Sequence, residues 1–293
     1  MQRRGSVKTT SINIVGKLPL GLVELYSDIN RHAKALGIDY LVVGAMARDL
    51  VLVHGFGSEI ERGTKDVDFG INVASWDEFN ALTKRLLAAD YNADKNRAHR
   101  LYYMGGSDHE WEIDIVPFGE IADANNNIYW PPKQETVMNV RGFPEAFTDA
   151  LQVQISENPE IIIPVASPVG ICLLKLIAWL DRDFDLRPKD ASDFTYIVET
   201  YSKIPEIFDA LYEQDYMEIQ GWDETKASAM KLGKDVSDIA SIDTKTFLKI
   251  ELFISEVKVE QFVRGMEKNT HKSLEQCEEL LSIFRDAFLN DDL

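Results

Sequence analysis

Cysteine is scarce in this 293-residue chain. Only Cys172 and Cys277 are present, which excludes a disulfide framework and a cysteine-based zinc site and favours a reducing compartment. Long apolar runs are also missing: the longest, Ile171 to Leu180, is interrupted by Lys175 and is too short to span a bilayer. The first 17 residues carry Arg3, Arg4 and Lys8 but not the continuous apolar segment of a secretory signal. The expectation is a cytoplasmic protein with no membrane partner. Basic residues are outnumbered 31 to 49, a formal net charge of −18. That balance argues against wholesale wrapping of nucleic acid but leaves room for a local basic site. What remains, 45% hydrophobic and 27% charged residues, is the make-up of a soluble globular chain. At this length roughly 75% of the unfolded surface can be buried, so no covalent staple is needed.

The periodicity changes near residue 165. Before it, short runs rich in β-branched and aromatic residues read as strands: Tyr40 to Val43, Val67 to Val73, Arg100 to Met104, Trp111 to Val116 and Ile161 to Val165. Ser75 to Leu87 reads as a helix, with Ser75 as N-cap and Glu78 at the capping-box position. Gly105-Gly106-Ser107-Asp108 is turn chemistry for a hairpin. Gly119 to Pro144 reads as one long loop. After residue 165 the pattern is helical throughout. Ser167-Pro168 opens a helix that is apolar nearly all round, and Ser273 with Gln276 opens the last one, on which Cys277 belongs to the core stripe. The predicted fold class is therefore α+β, with a mixed-sheet domain over residues 1–165 and an all-helical domain over 166–293. Between Glu206 and Glu224 lie seven acidic residues and no basic one, a solvated face or a docking surface for a basic partner.

The chemistry concentrates in Thr64-Lys65-Asp66-Val67-Asp68-Phe69. On a strand, alternation puts Asp66 and Asp68 on one face and Val67 and Phe69 on the other. Two carboxylates pointing the same way repel unless a cation lies between them, and oxygen-only ligands suit Mg²⁺ or Mn²⁺. Trp111 to Val116 repeats the pattern with Glu112 and Asp114. If the two strands are neighbours, Asp114 completes a three-carboxylate cluster for a two-metal phosphoryl displacement. Upstream, Tyr40 to Val43 leads through Gly44-Ala45 into a helical pattern, a turn that presents N–H groups to an anion. Lys175, in the middle of an apolar helix, must pair with a carboxylate such as Asp190 or Asp193 or face a site. The run Lys95, Arg97, His99, Arg100, Tyr102 and Tyr103 is either a guide for an RNA backbone with aromatic stacking or a basic strand edge.

These residues resemble a family. Gly44-Ala45, the string Arg62-Gly63-Thr64-Lys65-Asp66-Val67-Asp68-Phe69, and Glu112-Ile113-Asp114 are similar to the nucleotidyltransferase fold of the DNA polymerase β superfamily, closest to its AbiEii-like abortive-infection branch, whose members include toxins of toxin–antitoxin pairs. In the helical half, Leu174-Lys175-Leu176-Ile177-Ala178, Arg182 and Arg187-Pro188-Lys189-Asp190-Ala191-Ser192-Asp193-Phe194 resemble that branch's lysine helix and Lys/Arg-Asp-x-x-Asp motif. The resemblance spans about residues 40–200.

By that resemblance the protein is a nucleotidyltransferase that moves an NMP from an NTP to an acceptor hydroxyl and releases pyrophosphate. Asp66, Asp68 and Asp114 would hold the metal, with Asp114 also helping to activate the hydroxyl. Gly44, Ala45, Arg48, Arg62, Thr64 and Lys175 would contact the nucleotide, and Asp190 would join the site from the helical side. The acceptor implied is an RNA or tRNA 3′ end, or a protein; an aminoglycoside-type small molecule is the alternative, and an antitoxin protein is an expected partner. Ala45 offers no hydroxyl to a phosphate, the feature that favours a nucleotide- and metal-binding module without transfer.

Overall fold

The computed structural model of the chain describes residues 11–60, 66–105, 110–268 and 270–290. It begins with a short strand β1 (Ser11–Asn13), helix α1 (Leu20–Leu36) and strand β2 (Asp39–Val43), which turns directly into helix α2 (Gly44–Arg48) and a π-helical continuation over Asp49–Gly55. Strand β3 (Asp66–Asn72), helix α3 (Trp76–Leu87), strands β4 (Tyr91–Ala93), β5 (Arg100–Tyr103) and β6 (Trp111–Phe118) follow. Next come a small hairpin of β7 (Asn127–Tyr129) and β8 (Val137–Asn139), helix α4 (Phe143–Thr148), and strands β9 (Leu151–Glu157) and β10 (Glu160–Val165). The remainder is helical: α5 (Pro168–Asp181), α6 (Arg187–Thr200), α7 (Pro205–Glu213), α8 (Tyr216–Ile219), α9 (Glu224–Ile239), α10 (Ile242–Leu248), α11 (Glu256–Glu267) and α12 (Leu274–Leu289). This is an α+β architecture.

Eight strands form one mixed sheet in the order β1-β9-β10-β2-β3-β6-β5-β4. β3 runs antiparallel to β2 and parallel to β6, and β5 is antiparallel to β6. The two acidic strands are therefore neighbours, the condition on which Asp114 was expected to join Asp66 and Asp68. Alternation sorts their faces: Val67, Phe69, Ile71, Ile113 and Ile115 are fully buried, and Phe69 meets Tyr26 of α1 edge-on at 5.9 Å between ring centres. The opposite face carries the carboxylates and is partly roofed by α4 and α5. Gly70 lies on that face because Phe143 of α4 leaves no room for a side chain, an added Cβ meeting its ring at 2.9 Å.

One hydrophobic core runs from Ile12 to Phe288 without a break at residue 165. Local signals place the helix starts. Ser75 accepts from the Glu78 N–H at 3.4 Å, Ser167 from Gly170 at 2.9 Å, and Ser273 with Gln276 makes a complete capping box. Cys172 and Cys277 are buried and free. The segment read as one long loop, Gly119 to Pro144, holds the β7–β8 hairpin. Asp123 explains the order: its carboxylate accepts from the N–H groups of Asn125 and Asn127 and from the Tyr129 hydroxyl. Of the predicted hairpin turn, residues 106–108 lie outside the described residues, although β5 and β6 pair antiparallel as expected. Among the described residues no helix is long and apolar enough to cross a membrane.

Candidate active site

Register builds the site. Val43 of β2 lies opposite Asp68 of β3, Asp68 beside Asp114 of β6, and Asp114 opposite Arg100 of β5. Asp66 pairs with Glu112 one step away. A single row across four strands thus carries an acid, an acid and a base on one face. Above it opens a cavity of about 880 Å³ lined by Gly44, Ala45, Asp66, Asp68, Asp114 and Lys175 among others, with Arg97, His99, Arg100, Arg141, Arg182 and Lys189 on its walls.

Asp66 is exposed and Asp68 is half-buried. Burial, followed by the nearby Asp114, pushes the Asp68 carboxyl up to about 6, against the opposing pull of Lys175 and Arg182. Gly44 begins α2 at φ +73°, and a Cβ there would overlap Asp68 Oδ2. The turn therefore needs glycine twice, for its backbone angle and for the approach of Asp68. Asp114 is differently placed. Arg100 donates from Nε and one terminal nitrogen to its two oxygens, each at 2.7 Å, and from the other terminal nitrogen to Glu112. That fork-to-carboxylate pairing, led by the hydrogen bond to Asp114, holds the Arg100 guanidinium well above its ordinary range. Among the described residues no three His, Cys, Asp or Glu side chains stand ready as a complete metal cage.

From behind the cavity out to its wall runs a chain of six alternating charges. Asp49 bonds Arg48 at 2.8 Å, Arg48 bonds Asp193 at 2.5 Å, Asp193 bonds Lys175 at 2.6 Å, Lys175 bonds Asp190 at 3.1 Å and Asp190 bonds Arg182 at 3.2 Å. Three anions and three cations cancel, which is the condition for burying all of them but the exposed Arg182. Burial by itself would lower the Lys175 ammonium, but Asp193 and then Asp190 carry it above its usual value. It is charged at the cavity wall. Arg48 and Asp190 are fully buried and do not line the cavity. Arg48 was expected to contact the nucleotide, yet its guanidinium is committed to Asp49 and Asp193 and lies over the Tyr196 ring. Both residues brace Lys175 from behind.

Arg62 and Thr64 lie outside the described residues. Of the basic run, Arg97, His99 and Arg100 do line the cavity, but Tyr102 and Tyr103, expected to stack on bases, are not part of its lining. The Tyr102 hydroxyl donates to Asp94 at 2.7 Å, and Tyr103 is buried against Tyr91 with ring centres 4.7 Å apart. Arg141 and Asn139, also in the lining, were not legible in sequence, because the segment carrying them reads as irregular loop.

The family described as "Nucleotidyl transferase AbiEii toxin, Type IV TA system" matches residues 31–280, which is most of the chain and contains every cavity residue named above. The chain belongs to the AbiEii nucleotidyltransferase toxins. It is a nucleotidyltransferase. Nucleotidyltransferases of this kind generally use divalent metals. No curated protein matches this AbiEii chain. Among solved structures it is similar to an antigenic nucleotidyltransferase-like protein from Paracoccidioides brasiliensis, at 18% identity and a TM-score of 0.39, covering 61% of this chain and 76% of that one. It is also similar to a Thermotoga maritima CCA-adding enzyme complexed with tRNA, at 12% identity and a TM-score of 0.26, covering 94% and 82%. Likenesses this distant transfer neither substrate nor partner to the AbiEii chain.

Proposed function

We propose that the chain transfers an NMP from an NTP to the 3′-hydroxyl of an RNA, releasing pyrophosphate, with Mg²⁺ or Mn²⁺ held by Asp66 and Asp68. The observation that supports this reading is the cavity that has carboxylates on its floor and cations on its walls. In this reading residues 1–165 supply the carboxylates and residues 166–293 supply Lys175 and Arg182.

The donor set fits the ion. Mg²⁺ rarely needs an all-protein cage and takes one or two carboxylates together with substrate phosphates and water. Asp66 and Asp68 share a face, and Asp68, crowded by Asp114 and partly stripped of solvent, is a carboxylate short of positive charge. When bound, the ion supplies charge neutralisation at the reacting phosphate. The chain's own groups do the rest. Lys175 and Arg182 neutralise the phosphate tail and hold it in line, while the buried Asp190 and Asp193 fix the Lys175 ammonium in place. Asp114 helps to activate the acceptor hydroxyl once Arg100 exchanges its grip for a phosphate oxygen. RNA is favoured as acceptor by Arg97 and Lys189, exposed cations at the cavity wall that match a phosphate backbone.

The experiment is divalent-metal-dependent transfer of label from each α-labelled NTP into a cell extract, separated into RNA, protein and small-molecule fractions, beside an Asp66→Ala/Asp68→Ala variant. Label in RNA that the variant abolishes is the expected result. Label in another fraction reassigns the acceptor, and no label with nucleotide still bound overturns the transfer reading.

A further inference from the structure

Arg141 differs from the other cations that line the cavity. Arg100 holds Asp114 and Glu112, Lys175 holds Asp190 and Asp193, and Arg182 holds Asp190. Arg97 and Lys189 are exposed and reach water. Arg141 is half-buried, its Nε is sealed from solvent without a hydrogen-bond partner, and among the described residues no carboxylate pairs with its guanidinium. A guanidinium so placed is under-neutralised, and an anion that binds in the cavity is what would complete it.

The residue is also held in position. Its backbone N–H donates to Asn139 Oδ1 at 3.1 Å, and Asn139 Nδ2 donates to the Asn125 carbonyl at 3.1 Å and to Asn127 Oδ1 at 3.0 Å. The next residue, Gly142, sits at φ +83° and so close to α5 that a Cβ would meet Ile177 at 2.6 Å. The loop is therefore pressed onto the helix that carries Lys175. From the other side the ring of Phe247 on α10 supports the guanidinium, 4.7 Å from ring centre to its carbon. One face stacked, one nitrogen buried and unpaired, and the backbone fixed on both sides leave the planar fork little freedom. Such a fork suits two oxygens of one phosphate group.

We infer that Arg141, stacked on Phe247, is a phosphate anchor of the cavity, binding either the polyphosphate tail of the nucleotide or a backbone phosphate of the acceptor strand. The identity of the anion rests on the transfer reading above; the presence of an anion site does not.

Calorimetric titration of the full chain with inorganic tripolyphosphate, ATP, adenosine and a short single-stranded RNA tests this on wild type, Arg141→Gln, Arg141→Lys and Phe247→Leu, with thermal melting as the folding control. Loss of a charged hydrogen bond pair predicts that Arg141→Gln weakens tripolyphosphate and ATP about tenfold or more. Adenosine binding stays the same, Arg141→Lys recovers part of the loss, and Phe247→Leu gives an intermediate loss. If only the RNA titration weakens, the anchored phosphate is the acceptor's. Unchanged titrations of tripolyphosphate, ATP and RNA in folded Arg141→Gln overturn the inference. Should that variant not fold, unchanged titrations in Arg141→Lys and Phe247→Leu do the same. A protein that transfers no label yet loses tripolyphosphate binding on Arg141→Gln keeps the anchor and loses the transfer reading, whereas transfer with an unchanged KM in that variant removes the anchor alone.

Discussion

Lys175 shows how much one residue depends on its partners. Removing it leaves Asp190 and Asp193 buried with reduced neutralisation, so Lys175→Ala is expected to cost about 3–5 kcal/mol, read as a lowered midpoint in urea unfolding. Gly44 behaves in the opposite way. Gly44→Ala pays about 1–2 kcal/mol for its left-handed backbone, but its Cβ also displaces Asp68, so transfer is expected to fall much further than the melting temperature. A pH effect sits far from the cavity, at His32. Burial lowers its imidazole; Asp28 opposes this, while Arg31 and Arg85, whose Nε donates to His32 Nδ1 at 3.1 Å, add to it. A folded-state value below the unfolded one means that the stability present above about pH 6.5 is lost as the pH falls through the lowered value. Wild type should therefore lose more stability between pH 7 and pH 5 than His32→Gln, as measured by denaturant midpoints at each pH. Asp66 and Asp68 were legible from alternation alone, whereas Arg141 was not, since its role comes from an Asn139 turn and a ring 106 residues away in sequence.

At the scale of elements, α5 is the beam on which the site hangs. It starts at Ser167, whose hydroxyl accepts from the Gly170 N–H and donates to the half-buried Asp149. Ser167→Ala therefore removes a cap and leaves a half-buried carboxylate without that donor, a loss of about 1–2 kcal/mol by thermal or urea unfolding. Ser273→Ala on α12 removes a capping box that serves no buried partner at the site, so it should cost about 1 kcal/mol and leave substrate KM unchanged. The start of each of these helices could be read directly, because a cap is a contact between residues three apart. The hairpin β7–β8 and the edge strands β1 and β4 could not. Three-residue strands carry too few side chains for a period to show, and Asp123 orders its hairpin through backbone N–H groups that any sequence has.

At the scale of the whole molecule, the charge of −18 and the cationic cavity pull in different directions. Self-repulsion of the surface is screened by salt, so the melting temperature is expected to rise between low salt and about 0.5 M NaCl. Over the same range RNA affinity should fall, because phosphate contacts release counterions. Measuring both on one preparation separates the acidic exterior from the basic wall. The stretch Glu206 to Glu224 belongs to that exterior: it forms α7, α8 and the start of α9, and Phe208, Tyr212, Ile219 and Trp222 stand exposed within it.

The sequence by itself determined the α+β class, the change to helix after Val165, the main helix caps and the faces on which Asp66, Asp68 and Asp114 lie, because these follow from contacts between near neighbours and from side-chain period. It also required Lys175 to find a carboxylate. Only the tertiary structure decided which partners it has. The strand order set Arg100 beside Asp114 and Asp68 beside Gly44, the packing of α2 on α5 and α6 turned Arg48 inward to Asp193, and α10 brought Phe247 to Arg141. Each of these joins residues far apart along the chain, and such contacts are chosen by the packing of the whole core rather than by any local pattern.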